Sequence, residues 1–178
     1  MTTLVVASIV WLAASVAFAQ AAAPSPSALE GLDARAAVEL ANTWKGNGVT
    51  SFATPEAVHF AFPDGTEVRV DMPDDVMLVS VAPYFTHTHP CATHYMSGCQ
   101  GELVDAPVHV RAMLADGALV IDELMPTMAN GFIDLWLPRH QAVDLQLRLG
   151  DFVTSGRVTT FADSWTCITT LQFASAGR

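Results

Sequence analysis

The chain has 178 residues, 51% of them hydrophobic and 15% charged, with 18 acidic against 8 basic side chains and a formal net charge of −10. That balance excludes a disordered chain, and it excludes a surface built for nucleic acid or anionic lipid while favouring cations at modest strength. Only three cysteines are present, Cys91, Cys99 and Cys167.

Leu4 to Ala19 is apolar apart from Ser8 and Ser15 and ends in Ala17-Phe18-Ala19. Small residues at the first and third of those positions form a signal-peptidase site. At about 16 residues the run falls short of the roughly 20 that span a bilayer. Residues 1–19 are therefore expected to be a cleaved secretory signal, although no Lys or Arg precedes the run. No cysteine lies near its end, so no lipid anchor is expected, and the mature chain should not be held in a membrane. Residues 20–28 read as an Ala/Pro/Ser linker. In an oxidising compartment an odd cysteine count leaves one thiol over, which points to a reactive or metal-binding group.

Leu29, Leu32, Ala36, Leu40 and Trp44 recur at helical spacing, and Gly46 and Gly48 follow as a stop. Ala57–Phe62, the turn Pro63-Asp64-Gly65 and the alternating Thr66–Met72 predict a β-hairpin with one dry face. Residues 29–75 thus read as a small N-terminal module of one helix and one hairpin. From Val76 the chain reads as strands. Val76–Ala82 is apolar apart from Ser80 and predicted to be buried on both faces. Val108–Leu114 and Ala118–Leu124 flank Asp116-Gly117, a two-residue hairpin signal. Phe132–Leu137, Val143–Leu149, Arg157–Phe161 and Thr166–Phe173 complete the set. Short strands between Gly, Pro and Asp turns predict a mainly β fold, an antiparallel β-sandwich-like domain over residues 76–178. Period two places Cys167 on the face of Thr169, Leu171 and Phe173, pointing inward near the start of the last strand.

The segment Thr88-His89-Pro90-Cys91-Ala92-Thr93-His94-Tyr95-Met96-Ser97-Gly98-Cys99 concentrates two cysteines, two histidines and a methionine. It follows a strand and should form a loop at a sandwich edge, where Cys167 can meet it. Seven residues separate Cys91 from Cys99, which is neither a redox Cys-x-x-Cys nor a paired zinc frame. Three readings stand. A Cys91–Cys99 disulfide would staple the loop, contributing roughly 2–3 kcal/mol. Three thiolates can hold one Cu(I), a soft ion that accepts low coordination. The pair can also cycle between dithiol and disulfide as a thiol enzyme. His89, His94 and Met96 are secondary ligand candidates, His87 can share a face with His89, and Glu102 can attract a cation or merely solvate the loop. Any single Met is more often a gap-filler. His59, His109 and His140 stand alone. No His-Glu-x-x-His motif, nucleophile elbow or phosphate-cradling glycine loop is present.

These residues resemble the CueP family of periplasmic copper-binding proteins of Gram-negative bacteria. The matching pieces run in order from Val79-Ser80-Val81-Ala82-Pro83-Tyr84 through Thr88-His89-x-Cys91-x-x-His94 and Cys99-x-Gly101-Glu102-Leu103. They continue with Asn130-Gly131-Phe132, Trp136-Leu137-Pro138-Arg139 and Thr166-Cys167-Ile168-Thr169-Thr170. The resemblance implies a periplasmic protein whose copper-binding thiols are Cys91, Cys99 and Cys167. It implies copper sequestration for resistance, with supply to a periplasmic superoxide dismutase and a capacity to reduce Cu(II) at the thiols. A periplasmic thiol reductase to keep the cysteines reduced, and dimerisation through the N-terminal region, belong to the same picture. With its soft donors the site is expected to prefer Cu(I) to zinc, which serves only as a surrogate.

Overall fold

The structure, a computed structural model, describes residues 23–176, and the expected signal segment 1–19 lies outside them. A 3₁₀ turn at Pro26–Leu29 precedes helix α1, Ala34–Thr43. The helix starts five residues later than the leucine spacing suggests. Gly31, at φ +74°, breaks the chain direction, and the Asp33 side chain caps the first turn by accepting from the Ala36 amide at 2.9 Å. Its buried face is Ala34, Ala37, Val38 and Ala41, with Leu32, Ala36 and Leu40 only half-buried beside it. Alanines let the helix sit close on the sheet below, so small residues displaced the leucine stripe from the contact line.

The hairpin forms as β2, Ala57–Ala61, and β3, Glu67–Asp71, around Pro63-Asp64-Gly65. An unforeseen strand, β1 (Thr50–Ala53), pairs antiparallel with β2 and completes a three-stranded sheet. Between Gly48 and Pro55 it is too short to show a period.

The mainly β expectation holds. Strand β4, Val76–Val81, pairs antiparallel with β7, Ile133–Pro138. Facing them is a five-stranded sheet. It contains β5 (Pro107–Leu114), β6 (Leu119–Pro126), β8 (Ala142–Leu149), β9 (Phe152–Thr159) and β11 (Ala174–Ser175), in the order β11-β9-β8-β5-β6. Met77, Val79, Val81, Leu135 and Leu137 from one layer meet Val108, Val110, Leu145 and Leu147 from the other in a dry core. Each fully buried leucine there contributes about 2 kcal/mol of transfer free energy. The opposite face of β4 and β7 is covered too. Leu78 and Trp136 pack under the helix with Val38, Phe60 and Met96, so residues 77–82 are buried throughout, as a run apolar but for Ser80 suggests.

Two strands depart from expectation. Strand β9 starts at Phe152, ahead of Arg157, and stops at Thr159. The expected strand Thr166–Phe173 is broken into β10, Cys167–Ile168, and a single bridge from Gln172 to Tyr84. β10 runs parallel to β4, with Cys167 opposite Ser80 and Ile168 opposite Val81, the one parallel pair among the described strands. Burial does alternate through Cys167, Thr169, Leu171 and Phe173. They do not share one core, however: Leu171, Phe173 and Ile168 pack in the sandwich, whereas Cys167 packs with Cys99 and Phe132. The chain changes face after Thr169, and that slip frees Cys167 from the apolar core. Among the described residues no helix is long and apolar enough to cross a membrane.

Candidate metal centre

The loop from Ala82 to Ala106 carries no strand of its own and is held by its neighbours. The amides of Thr166 and Cys167 both donate to the Ala92 carbonyl, at 3.0 and 3.2 Å. Thr166 Oγ1 donates to the Ala53 carbonyl at 2.6 Å and accepts from the His94 amide at 3.0 Å. Thr169 Oγ1 donates to the His89 carbonyl and Thr88 Oγ1 to the Thr169 carbonyl, both at 2.6 Å. Three threonine hydroxyls thus stitch the cysteine-bearing loop to β10. None was foreseen as functional, although each sits one or two residues from a candidate ligand.

The end of the loop is a tight turn. Cys99 N donates to the Tyr95 carbonyl at 2.8 Å, and Tyr95 N donates to Cys99 Sγ at 3.4 Å. Lys45 Nζ, just past the helix, donates to the Cys99 carbonyl at 2.6 Å. Beyond it Gly101 lies directly on Gly131, with Gly101 N donating to the Asn130 carbonyl at 2.7 Å. A Cβ on Gly101 would stand 2.5 Å from the Gly131 carbonyl oxygen, and one on Gly131 would stand 2.7 Å from Gly101 backbone atoms. Only glycine fits on either side. The following residue, Phe132, is fully buried against Cys99 and Cys167. Its amide donates to Asn130 Oδ1 at 3.0 Å, and Asn130 Nδ2 in turn donates to Asn42 Oδ1 at 3.1 Å. Asn42 Nδ2 and Ser80 Oγ both donate to Asp134. This polar chain ties helix, central strands and Phe132 together.

All three cysteines are free thiols, and Cys91 Sγ lies 3.5 Å from Cys99 Sγ. The ligand atoms of His89, Cys91 and Cys99 lie within 4.8 Å of one another, as do those of His94, Cys99 and Cys167. Cys167 therefore reaches the loop, well inside the roughly 7 Å expected for thiols around one small ion. Cys99 is at the centre of the cluster electrostatically as well. Hydrogen bonding from the Cys167 thiol and the Tyr95 amide, with the His94 and His89 rings close by, outweighs burial and pulls it down to about 3. Cys167, which donates a hydrogen bond to Cys99 and is also buried, is pushed far up; burial pushes Cys91 up. Cys99 is thus the most acidic of the three, set between two thiols that hold their protons more tightly.

The histidines separate sharply. His94 is fully buried, its ring 4.4 Å from that of Phe132, and neither ring nitrogen has a hydrogen-bond partner. An orphaned imidazole beside soft sulfur donors fits a soft or borderline metal ion. His89 is half-buried with Cys91 and Cys99. His87 does not join it. Its side chain is 88% exposed and turns to Glu102, 3.4 Å away. Met96 is fully buried in the cluster under the helix with Phe60 and Leu78. His59 stacks on Phe52 and His109 pairs with Asp122.

Glu102 sits on the loop backbone itself. It accepts from the amides of Phe85 and Thr86, at 2.6 and 3.0 Å, and from the Thr86 hydroxyl, which holds its carboxyl down at about 2. Its stabilisation is complete above the unfolded carboxyl value near 4.3 and is lost as pH falls through about 2. Glu102→Gln should therefore lose about 1–2 kcal/mol in urea unfolding at pH 7. The gap from the wild type should narrow steadily between about pH 4.3 and 2. A gap that stays constant across that window would refute the assignment.

Residues 38–172 match the family model described as "Periplasmic copper-binding protein CueP". The structure is similar to one solved as "Crystal Structure of S.CueP", with a TM-score of 0.77 and 28% sequence identity, covering 83% of this chain and 92% of that one. No curated protein matches the chain.

Proposed function

The chain belongs to the CueP family of periplasmic copper-binding proteins, and from that premise we propose that it sequesters one Cu(I) ion in the periplasm through Cys91, Cys99 and Cys167. The observation that carries this reading is the placement of Cys167. A parallel seam with β4 and a change of face after Thr169 bring a thiol from near the end of the chain within 4.8 Å of Cys99. Sulfur donors suit Cu(I) and do not by themselves complete a zinc tetrahedron. Met96 serves packing, as its place in the apolar cluster supports. An ion held by exchangeable thiolates suits delivery to a periplasmic cuproenzyme such as superoxide dismutase, with a thiol reductase keeping the cysteines reduced.

Binding should displace the protons of Cys91 and Cys167, whereas Cys99 already carries a thiolate. Titration of the reduced protein against a chromophoric Cu(I) chelator is expected to give one ion per chain, with about two protons released near neutral pH and affinity rising with pH. Zinc should compete weakly, because thiolates hold soft Cu(I) more tightly than Zn(II) even where a nitrogen completes a tetrahedron. Equal or tighter Zn(II) binding, or copper uptake indifferent to all three cysteines, would overturn the reading.

A second reading rests on the 3.5 Å contact of Cys91 with the Cys99 thiolate. The pair can give two electrons to two Cu(II) ions, forming the Cys91–Cys99 disulfide, releasing the Cys91 proton and leaving two Cu(I). Sustained turnover that requires an added thiol reductant would favour it.

A further inference from the structure

The candidate ligands form two overlapping triads of different depth. His89, Cys91 and Cys99 make the outer one, in which the histidine and Cys91 are half-buried. His94, Cys99 and Cys167 make the inner one, in which all three are buried. Cys99 belongs to both. The inner triad contains the orphaned imidazole, a fully buried polar ring whose two nitrogens meet no hydrogen-bond partner and whose ligand atom lies within 4.8 Å of two sulfurs. Burying such a group without a partner is costly, and a metal bond is the interaction its surroundings offer. The Phe132 ring lies 4.4 Å from the His94 ring and 6.4 Å from that of His89, so one apolar side chain borders both triads. The two histidines also differ in support. The His94 backbone is fixed on both sides, by Thr166 and by Ala53, whereas His89 is tied by a single carbonyl contact with Thr169.

We propose that the centre works as two stations: an entry station formed by His89, Cys91 and Cys99, and a holding station in which Cys167 displaces His89 and His94 adds the buried nitrogen donor. This rests on the Cu(I) reading above. Because Cu(I) is stable at low coordination, it can pass inward by exchanging one ligand at a time while Cys99 stays bound. No step then leaves a bare ion. The half-buried imidazole sets how fast copper is captured, and the buried one sets how long it stays.

The test separates rate from affinity. With Cu(I) supplied as its complex with a chromophoric chelator, His89→Ala should load about 10-fold more slowly and reach wild-type affinity within about 3-fold. His94→Leu should load at the wild-type rate, bind about 10-fold more weakly and release copper faster. Removing an unpartnered polar ring from an apolar site should also leave the apo His94→Leu protein at least as stable as wild type, whereas a purely structural histidine would lose stability. X-ray absorption of the loaded wild-type protein should show one Cu–N contribution, absent from His94→Leu and retained in His89→Ala. That measurement on the wild type stands even where a variant folds poorly, and an all-sulfur shell there would overturn the proposal. So would two histidine variants with wild-type rates and affinities. Failure of the wild-type protein to bind one Cu(I), or Cys167→Ser binding as wild type does, would instead sink the three-cysteine reading beneath it.

Discussion

Cys167→Ser is expected to weaken Cu(I) binding by about 100-fold or more, since a lost ligand should cost at least what a lost supporting contact does. The fold should remain intact. Cys91 and Cys99 sit on a loop without regular structure, and alone they offer a two-coordinate site. Cys167 is fully buried and comes from β10, anchored to β4 by amide–carbonyl bonds at Ser80 and Ala82 of 2.8 and 2.9 Å. In the proposed site it would tie the ion to the sandwich. Serine fills nearly the same space, but its hydroxyl is a hard, weakly acidic donor that does not replace a thiolate. Copper should therefore exchange faster. The Cys91–Cys99 pair, deprived of the thiol that donates to Cys99, should oxidise more readily in air. Chelator competition reads the affinity, and thiol counting after aeration reads the second effect. Wild-type Cu(I) affinity in the serine variant would refute the three-thiolate site.

Gly131→Ala should be the most destabilising methyl that can be added near the site. At φ +77° an alanine is strained by roughly 1–2 kcal/mol. Its Cβ would also stand 2.7 Å from the backbone of Gly101, which cannot rotate away as a side chain would. Overpacking of that kind adds about 1–3 kcal/mol. Together these are a large part of an ordinary domain's stability, so thermal unfolding should fall by about 10 °C. Because Phe132 follows Gly131 and Cys99 precedes Gly101 by two residues, separating the backbones also moves Cys99 away from Cys167. Copper affinity should fall with stability. Gly101→Ala, without the positive φ, isolates the clash and should cost less. A Gly131→Ala protein that melts and binds copper like the wild type would show that the two backbones do not press together.

The sequence disclosed the parts of the fold that repeat. Alternation in Val143–Leu149 and the Asp116-Gly117 turn announced β8 and the β5–β6 hairpin, because burial on one face writes a period of two into the chain. It hid what depends on distant partners. The parallel seam of β10 with β4 leaves only two residues in regular pairing, and its register is set by contacts with a strand far back in the chain. The same limit applies at the site. The cysteines stood out by chemical type, but His87, His89 and His94 look alike as letters. Their surroundings distinguish them: one is solvated beside Glu102, one half-covered, one sealed against Phe132. Gly101 and Gly131 were visible as glycines, yet their mutual contact is a property of two loops and not of either segment.

The β10–β4 seam also has a consequence for the order in which the protein acquires its chemistry. Long-range pairings are closed late in folding because their loop entropy must be overcome before they are rewarded. Residues 76–81 can pair with 133–138, and the hairpins can close, before residue 167 has docked. Until then Cys91 and Cys99 form a bare dithiol with no third sulfur to share a proton. Copper competence is thus expected to be acquired at the end of folding, and a chain that has not yet docked residue 167 would present the loop most openly to an oxidant.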